Sequence, residues 1–483
     1  MRRNQVLKIL VYSVEGNGVF VTNRLQKEGH DVTLFINKKE VIEYMEGLVK
    51  KIDNIEDIDP DTDVVFVDDV GCGKEIDKLI KEGFLVIGGS SFNDKIEEDR
   101  QYGIKLMKSV GIQIPPTWDF EKLDDGIKFI QENPDRYVIK VDDSEAKYTS
   151  HIGKDAEDMI SVITHMRDEG LVKSGFVLQK FVEGYEMSTE GHFNSNEFIP
   201  GLFIHTVEHK KFLTGDLGPT IGCAGSVAFG GKNLNKKLTD NLSKMTPILK
   251  KYKYKGAIDL NVIIDKEDSL WALEFCGRVG YTGLENFLDI FDGDYGCMLR
   301  DVAAGEGLDY KLSDDIGIGV VLTVPPFPVE LEDHLSEDIK DEVMDVLGKR
   351  CYNIEVSGFE EFEDSCYFSA IKIDEDDKIR LTAKDGYIGA ICARASSVDK
   401  CQTIVYDRLD KINLPSKQYR IDIGDRAKEW FKEKGRIIDD KKLSEDTLEY
   451  PKQAVNTLAE IQLEELSGKV TSQRFKRSYR ANG

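Results

Sequence analysis

The chain has no Cys-x-x-Cys pair, no long apolar run and no surplus of positive charge. Its eight cysteines are scattered, which suits a reducing cytoplasm with free thiols better than a disulfide framework or a zinc site. Without a run of about 18 apolar residues, no membrane-crossing helix is expected. The basic start Met1-Arg2-Arg3-Asn4-Gln5 leads into an apolar segment that Lys8 interrupts, so no export signal is expected either. Sixty-five Lys and Arg face 89 Asp and Glu, and the formal net charge of -24 repels nucleic acid and anionic membranes. The same field repels any polyphosphate, so a site for one has to gather lysines and arginines locally. What the chain does have is 483 residues at 40% hydrophobic and 32% charged, a globular composition with length for about three domains.

Residues 6–14 are β-branched and apolar, break at Glu15-Gly16-Asn17-Gly18 and run into a helical pattern around 23–28. Strand-like segments recur at 31–36, 63–69 and 84–89 with helical patterns between, so the first hundred residues read as a parallel α/β unit. Residues 93–110 have helical periodicity and stop at Gly111, ahead of Pro115-Pro116. Tyr137-Val138-Ile139-Lys140-Val141 is a strand with a lysine in its middle, costly to bury unless it meets an anion. Another strand is expected at 175–181. Two apolar strands within 256–276, joined by the acidic turn Lys266-Glu267-Asp268, form a hairpin. Side chains on one face of such a pair lie within reach of each other, so Asp259 and Glu274 are candidates to share a cation. Strand patterning returns at 316–324 and 358–393. Residues 451–466 have helical spacing, and Lys469, Arg474, Lys476, Arg477 and Arg480 give an acidic chain a basic end, either a solvated tail or a docking segment.

Residues 208–226 carry Gly215, Gly218, Gly222 and Gly225, which let backbone N–H groups converge on an anion, beside His209, Lys210 and Lys211. This reads as a phosphate-handling loop, although a flexible surface loop has the same composition.

Asp216-Leu217-Gly218-Pro219-Thr220-Ile221-Gly222-Cys223-Ala224-Gly225 resembles the Asp-Thr-Gly-Pro-Asn-Thr-Gly-Gly-Met-Gly signature of the glycinamide ribonucleotide synthetase (phosphoribosylamine-glycine ligase) family. Glu208-His209-Lys210-Lys211 stands where that family has Asp-His-Lys-Arg. Far downstream, Tyr419-Arg420-Ile421-Asp422-Ile423-Gly424-Asp425-Arg426-Ala427 resembles its Tyr-Arg-x-Asp-Ile-Gly-x-Arg-Ala. Two matches in the family's order are more specific than either alone. The resemblance covers roughly nine-tenths of the chain and implies a multidomain α/β ATP-grasp ligase. The implied parts are an N-terminal parallel α/β (pre-ATP-grasp) domain at 1–101, a two-lobed ATP-grasp core at 102–320 with its lid at about 120–191, a small C-terminal α/β domain at 321–428 and a helical tail with a basic end at 429–483.

The resemblance also implies roles. Lys140 and Lys147 match the family's nucleotide-binding lysines and, with Arg278, would neutralise phosphate charge in catalysis. Arg100 stands at its ATP-contacting lysine; Gln179, Lys180, Phe181 and Val182 would line the adenine cleft, Glu186 would approach the ribose, and Lys210 would join the nucleotide site. Asp216, Gly218, Pro219, Thr220 and Gly222 would seat an acyl phosphate or a substrate phosphate. Asp259 and Glu274 would hold Mg2+ or Mn2+. ATP and the metal are thus the implied cofactors, a small carboxylate and an amine the implied substrates, and purine or nucleotide-related metabolism in the cytoplasm the implied setting. The tail offers a route to a homo-oligomer. The chain departs from the family at three places. Ser13-Val14-Glu15-Gly16-Asn17-Gly18-Val19 replaces Gly-x-Gly-Gly-Arg-Glu-His, a turn that in the family helps hold the ribose phosphate of the amine substrate. Cys276 replaces an asparagine ligand, and Tyr281-Thr282-Gly283 replaces Asp-Pro-Glu. These departures surround substrates and metal and point to a changed amine or carboxylate partner. The alternative is a nucleotide-binding homologue with little or no ligase activity, serving as a sensor or assembly subunit.

Overall fold

Five parallel strands open the chain in a computed structural model that describes residues 5–141, 150–172, 175–306, 309–328, 351–383 and 385–434. They are β1 (Lys8–Ser13), β2 (Asp31–Ile36), β3 (Lys50–Ile52), β4 (Val64–Val67) and β5 (Val86–Ile87), in the order β3-β2-β1-β4-β5. The unbroken apolar stretch of β4 is buried throughout, as a parallel strand with covered faces requires. Next comes a four-stranded antiparallel sheet of β6 (Thr117–Phe120), β7 (Tyr137–Val141), β8 (Ser150–Ile152) and β9 (Phe176–Lys180), in the order β6-β9-β7-β8. With the helices Leu123–Glu132 and Ala156–Asp168 it encloses its own core, including Ile130, Ile139, Met159 and Phe176, and so forms a separate lobe.

The remaining strands build one large antiparallel sheet. It runs β16-β15-β10-β11-β14-β17-β21-β18, from β10 (Tyr185–Asn194), β11 (Ile204–Glu208), β14 (Gly225–Phe229), β15 (Lys255–Ile264), β16 (Leu270–Cys276), β17 (Ile316–Thr323), β18 (Cys366–Phe368) and β21 (Tyr387–Ala395). The hairpins β12 (Lys211–Leu213) with β13 (Leu217–Thr220), and β19 (Ile371–Ile373) with β20 (Ile379–Leu381), stand off it. The expected β15–β16 hairpin is present, and Asp265 ties its turn by accepting from the N–H groups of Glu267 and Ser269 and from the Trp271 indole at 2.7 Å.

Two local outcomes differ from the sequence pattern. The helical run at 93–110 is two helices, Ser91–Glu98 and Arg100–Ser109, because Asp99 leaves helical geometry to cap the second one through the Tyr102 N–H. This places Arg100 in the first turn of a new helix. The C-terminal α/β stretch is continuous with the core sheet through β17, β21 and β18. Trp430, in the helix Asp425–Lys434, is buried and stacks on Phe229 with ring centroids 5.4 Å apart, so the beginning of the expected tail belongs to the core. The basic end lies outside the described residues. No helix among the described residues is long and apolar enough to cross a membrane.

Candidate active site

Residues directly opposite each other in antiparallel pairs share a face, and the register of five strands gathers one polar surface. Glu190 faces Asp259 and Ser188 faces Asn261 across β10–β15; Asp259 faces Cys276 and Asn261 faces Glu274 across β15–β16; Ser188 faces Thr206, and Glu208 faces Ser226, across β10–β11 and β11–β14. Period-two spacing then adds Glu186 to the same side.

At one end of this surface cations collect. Burial lowers the Lys140 ammonium below the usual lysine range, Glu274 and Glu186 draw it back up, and Arg100 and Lys210 push it further down. These five charged groups therefore share one neighbourhood, although they come from three strands, a helix and the link between β11 and β12. The Arg100 Nη1 is buried without a hydrogen-bond partner among the described residues. Lys210 is bound to Glu186 at 2.7 Å and Glu208 at 3.6 Å, and these carboxylates hold it above the usual range despite its desolvation. Lys147 lies outside the described residues.

The segment expected at an adenine is partly occupied. Gln179 is buried and donates to the Thr117 hydroxyl, the Lys180 ammonium turns to Asp135 at 2.7 Å, and the Lys180 and Phe181 N–H groups bond to the carbonyls of Pro116 and Arg136. Arg136 also covers the Phe181 ring at 3.6 Å. Val182 follows in the extended crossing from lobe to large sheet.

Asp259 and Glu274, expected to share a cation, are diagonal on the sheet, not opposite. Asn261 is what faces Glu274. It donates to the Cys276 sulfur at 3.8 Å, and its amide oxygen has no hydrogen-bond partner among the described residues. Glu274 is exposed and makes no ion pair among them. The Cys276 thiol is pushed well above its usual range, chiefly by burial, and stays protonated, so the soft sulfur is no rival for a hard cation. A carboxylate and an amide oxygen side by side do suit Mg2+.

Arg278 sits beyond them. Its Nε is 3.1 Å from Asp69 and its Nη2 is 3.3 Å from Glu97, and the guanidinium lies over the Tyr281 ring. Asn93 and Glu97 hold the loop itself by bonding the Gly277 carbonyl and N–H. The Tyr281 hydroxyl reaches the Asp68 carbonyl at 3.1 Å. Asp68 fills the first turn: it accepts from Ser13 Oγ at 2.5 Å, Val14 N at 2.9 Å and Gly18 N at 2.8 Å. Gly18 lies so close to this carboxylate that an added Cβ would be 2.6 Å from the Asp68 Cβ.

The two stretches that carry the family signatures are clasped together. Arg420, 2% exposed, holds Asp422 through two bonds of 2.7 and 2.6 Å, Asp216 at 3.0 Å and the Lys211 carbonyl at 2.8 Å. Arg426 also binds Asp216, and the Gly215 N–H reaches Asp422. Asp216 is therefore a strut of the hairpin, while Gly218, Pro219 and Thr220 are exposed along β13 and Gly222 follows with φ +77°. His209 was expected to add positive charge; instead burial and the nearby Arg420 and Arg426 push its pKa down to about 4, and its neutral ring accepts from Gly424 N.

Sequence reasoning had not singled out Asp68, Glu97, Glu190, Asn261 or Glu285 as site residues. Glu186, Ser188 and Glu190 do alternate along β10, as Asp259 and Asn261 do along β15, and that period was the available signal. Glu285 is fully buried with both carboxyl oxygens unpartnered, and burial raises its pKa to about 8. A carboxyl whose pKa is raised on folding loses stability as pH climbs from its unfolded value, about 4.3, towards 8. Glu285→Gln is expected to flatten the fall in melting temperature across that window and to melt higher than the parent at pH 8, as calorimetry at several pH values would read.

Fold and site together define an ATP-grasp protein: a parallel α/β unit, a small antiparallel lobe and a large antiparallel sheet whose polar face lies under the cations. Residues 98–282 match the family model of the phosphoribosylglycinamide synthetase ATP-grasp (A) domain. The phosphoribosylamine-glycine ligase of Halalkalibacterium halodurans is 22% identical over 363 residues, 73% of this chain and 79% of that protein. In structure, the phosphoribosylamine-glycine ligase of Thermotoga maritima aligns with a TM-score of 0.66 at 18% identity, over 86% of this chain and all of that one. The N5-carboxyaminoimidazole synthetase of Staphylococcus aureus aligns at 0.53 and 14% identity, over 84% of this chain and 99% of its own. Residues 98–282 thus carry an ATP-grasp domain of the phosphoribosylglycinamide synthetase type, and the chain around it is similar to phosphoribosylamine-glycine ligases.

Proposed function

We propose that the chain is an ATP-dependent carboxylate–amine ligase of the cytoplasm. The observation that carries this is the gathering of Arg100, Lys140 and Lys210, one with a buried unpartnered guanidinium nitrogen and one with a desolvated ammonium, in a protein of net charge -24. An anion of high charge would complete the compensation that Glu186, Glu208 and Glu274 begin, and a triphosphate provides it. Lys147 completes the set in this reading. Glu274 and Asn261 would hold a magnesium ion, which would supply positive charge against the phosphates.

In the reaction, the γ-phosphoryl group passes to the substrate carboxylate, giving an acyl phosphate and ADP. The amine nitrogen, as its free base, then attacks the acyl carbon; the C–N bond forms as the bond to phosphate breaks, and the nitrogen gives up a proton to the departing phosphate or to solvent. Lys140, Arg100 and Arg278 stabilise charge on the transferring group, and no side chain forms a covalent bond to substrate. Incubation of the full chain with Mg-ATP and pools of carboxylic acids and amines is expected to raise release of ADP and phosphate about tenfold or more over ATP alone, and only when both pools are present. Tight ATP binding with no such release would favour the sensor reading, and no ATP binding would remove both.

A further inference from the structure

The ligase reading leaves the amine open, and two independent features of the pocket bear on it. The first is the turn at 13–18. Its anion-binding donors, the Val14 and Gly18 N–H groups and the Ser13 hydroxyl, all point at one carboxylate, Asp68, which is completely buried. A phosphate brought here would find the donors taken and a like charge in its place. The second is the wall opposite. Glu190 and Asp259 face each other across β10–β15, 3% and 5% exposed, with Glu208 adding negative charge. Asp259 Oδ1 has no hydrogen-bond partner among the described residues, and the Glu190 carboxylate accepts from the Gly280 N–H at 3.0 Å. Among the described residues other than its chain neighbours, only Asp259 Oδ2 and Glu190 Oε2 come within 4 Å of where a Gly280 Cβ would stand, each at 3.8 Å, so both carboxylates border the hollow that the missing side chain leaves. The charge of Arg278 draws both carboxyls down only in part, because its ion pairs go to Asp69 and Glu97.

We infer that the amine substrate is an unphosphorylated cation, held at the Gly280 hollow by Glu190 and Asp259. Two facing buried carboxylates repel each other, and an ammonium between them removes the repulsion while offering N–H donors to the unpartnered oxygen. Burial holds both groups above the usual carboxylate range, Glu190 at about 7, and the charges of Glu190 and Glu208 raise Asp259 further. Burial is the first cause for each.

The test is a thermal-shift titration of the full chain saturated with Mg-ADP, using putrescine, ethanolamine, glucosamine and glucosamine 6-phosphate as probes, with MnCl2 as a metal arm. At least one unphosphorylated amine is expected to stabilise the protein, with half-saturation about tenfold or more weaker in the Glu190→Gln/Asp259→Asn double variant. Glucosamine 6-phosphate is expected to give less stabilisation than glucosamine. The inference is overturned if the phosphorylated amine is preferred, if no amine separates parent from variant, or if manganese alone reproduces the variant-sensitive shift, which would make the hollow a metal site. ADP binding, measured by calorimetry on both proteins, separates these outcomes from failure of the ligase reading: only loss of nucleotide binding in the parent counts against that. Since burial already draws both carboxyls towards their neutral forms, the neutral amides of the unliganded variant are expected to let it melt no lower than the parent at pH 7.

Discussion

Arg420→Met is expected to destabilise the protein by roughly 3–5 kcal/mol, the range for removing one partner of a buried ion pair. Methionine fills most of the volume but leaves Asp422 without its two-pronged partner and the Lys211 carbonyl without its donor. Asp216 keeps only Arg426. The hairpin β12–β13 is fastened to the C-terminal segment through these contacts, so it should loosen with them, and ADP-forming turnover should fall along with the melting temperature. Arg420→Lys keeps the charge but not the planar fork, and is expected to recover less than half of the loss. The clasp also has a pH signature. The Arg420 bond and the Gly215 N–H overcome partial desolvation and hold Asp422 at about 2, so its contribution is complete above the unfolded value, about 3.9, and is lost as pH falls through 2. Asp422→Asn should lack that acid-dependent increment. A melting temperature untouched by Arg420→Met would mean that the two signature stretches do not support each other.

Lys140→Met should separate chemistry from stability. The ammonium is lowered by burial more than Glu274 and Glu186 restore, so its charge is a burden on the folded state, and methionine is expected to melt at the same temperature or higher. ATP turnover, in contrast, is expected to fall about 100-fold or more, roughly 3 kcal/mol of lost transition-state stabilisation. Loss of both together would indicate a structural lysine, and retention of turnover would mean that no triphosphate lies against β7.

How much of this was legible beforehand can be judged at particular residues. The strand around Lys140 and the hairpin carrying Asp259 and Glu274 were readable because apolar runs and turn chemistry are local properties. The break at Asp99 was not, since the periodicity of 93–110 continues through it and only the cap to Tyr102 N reveals two helices. Glu190 and Asn261 escaped notice because a polar residue on a strand has no address until its neighbours' register is known. Asp216 looked like a ligand residue because its motif names the loop but not the arginines, 204 and 210 positions away, that hold it.

By itself the sequence determined which segments become strands and helices, that a polyphosphate site must concentrate its own cations, and to which family the signatures belong, all consequences of local propensity, net charge and motif. Only the tertiary structure decided which charges meet. Asp68 closes the first turn, Asn261 and not Asp259 faces Glu274, and Glu190 joins Asp259 beside Gly280, because strand register and the packing of one lobe on another set distances that chain position does not encode.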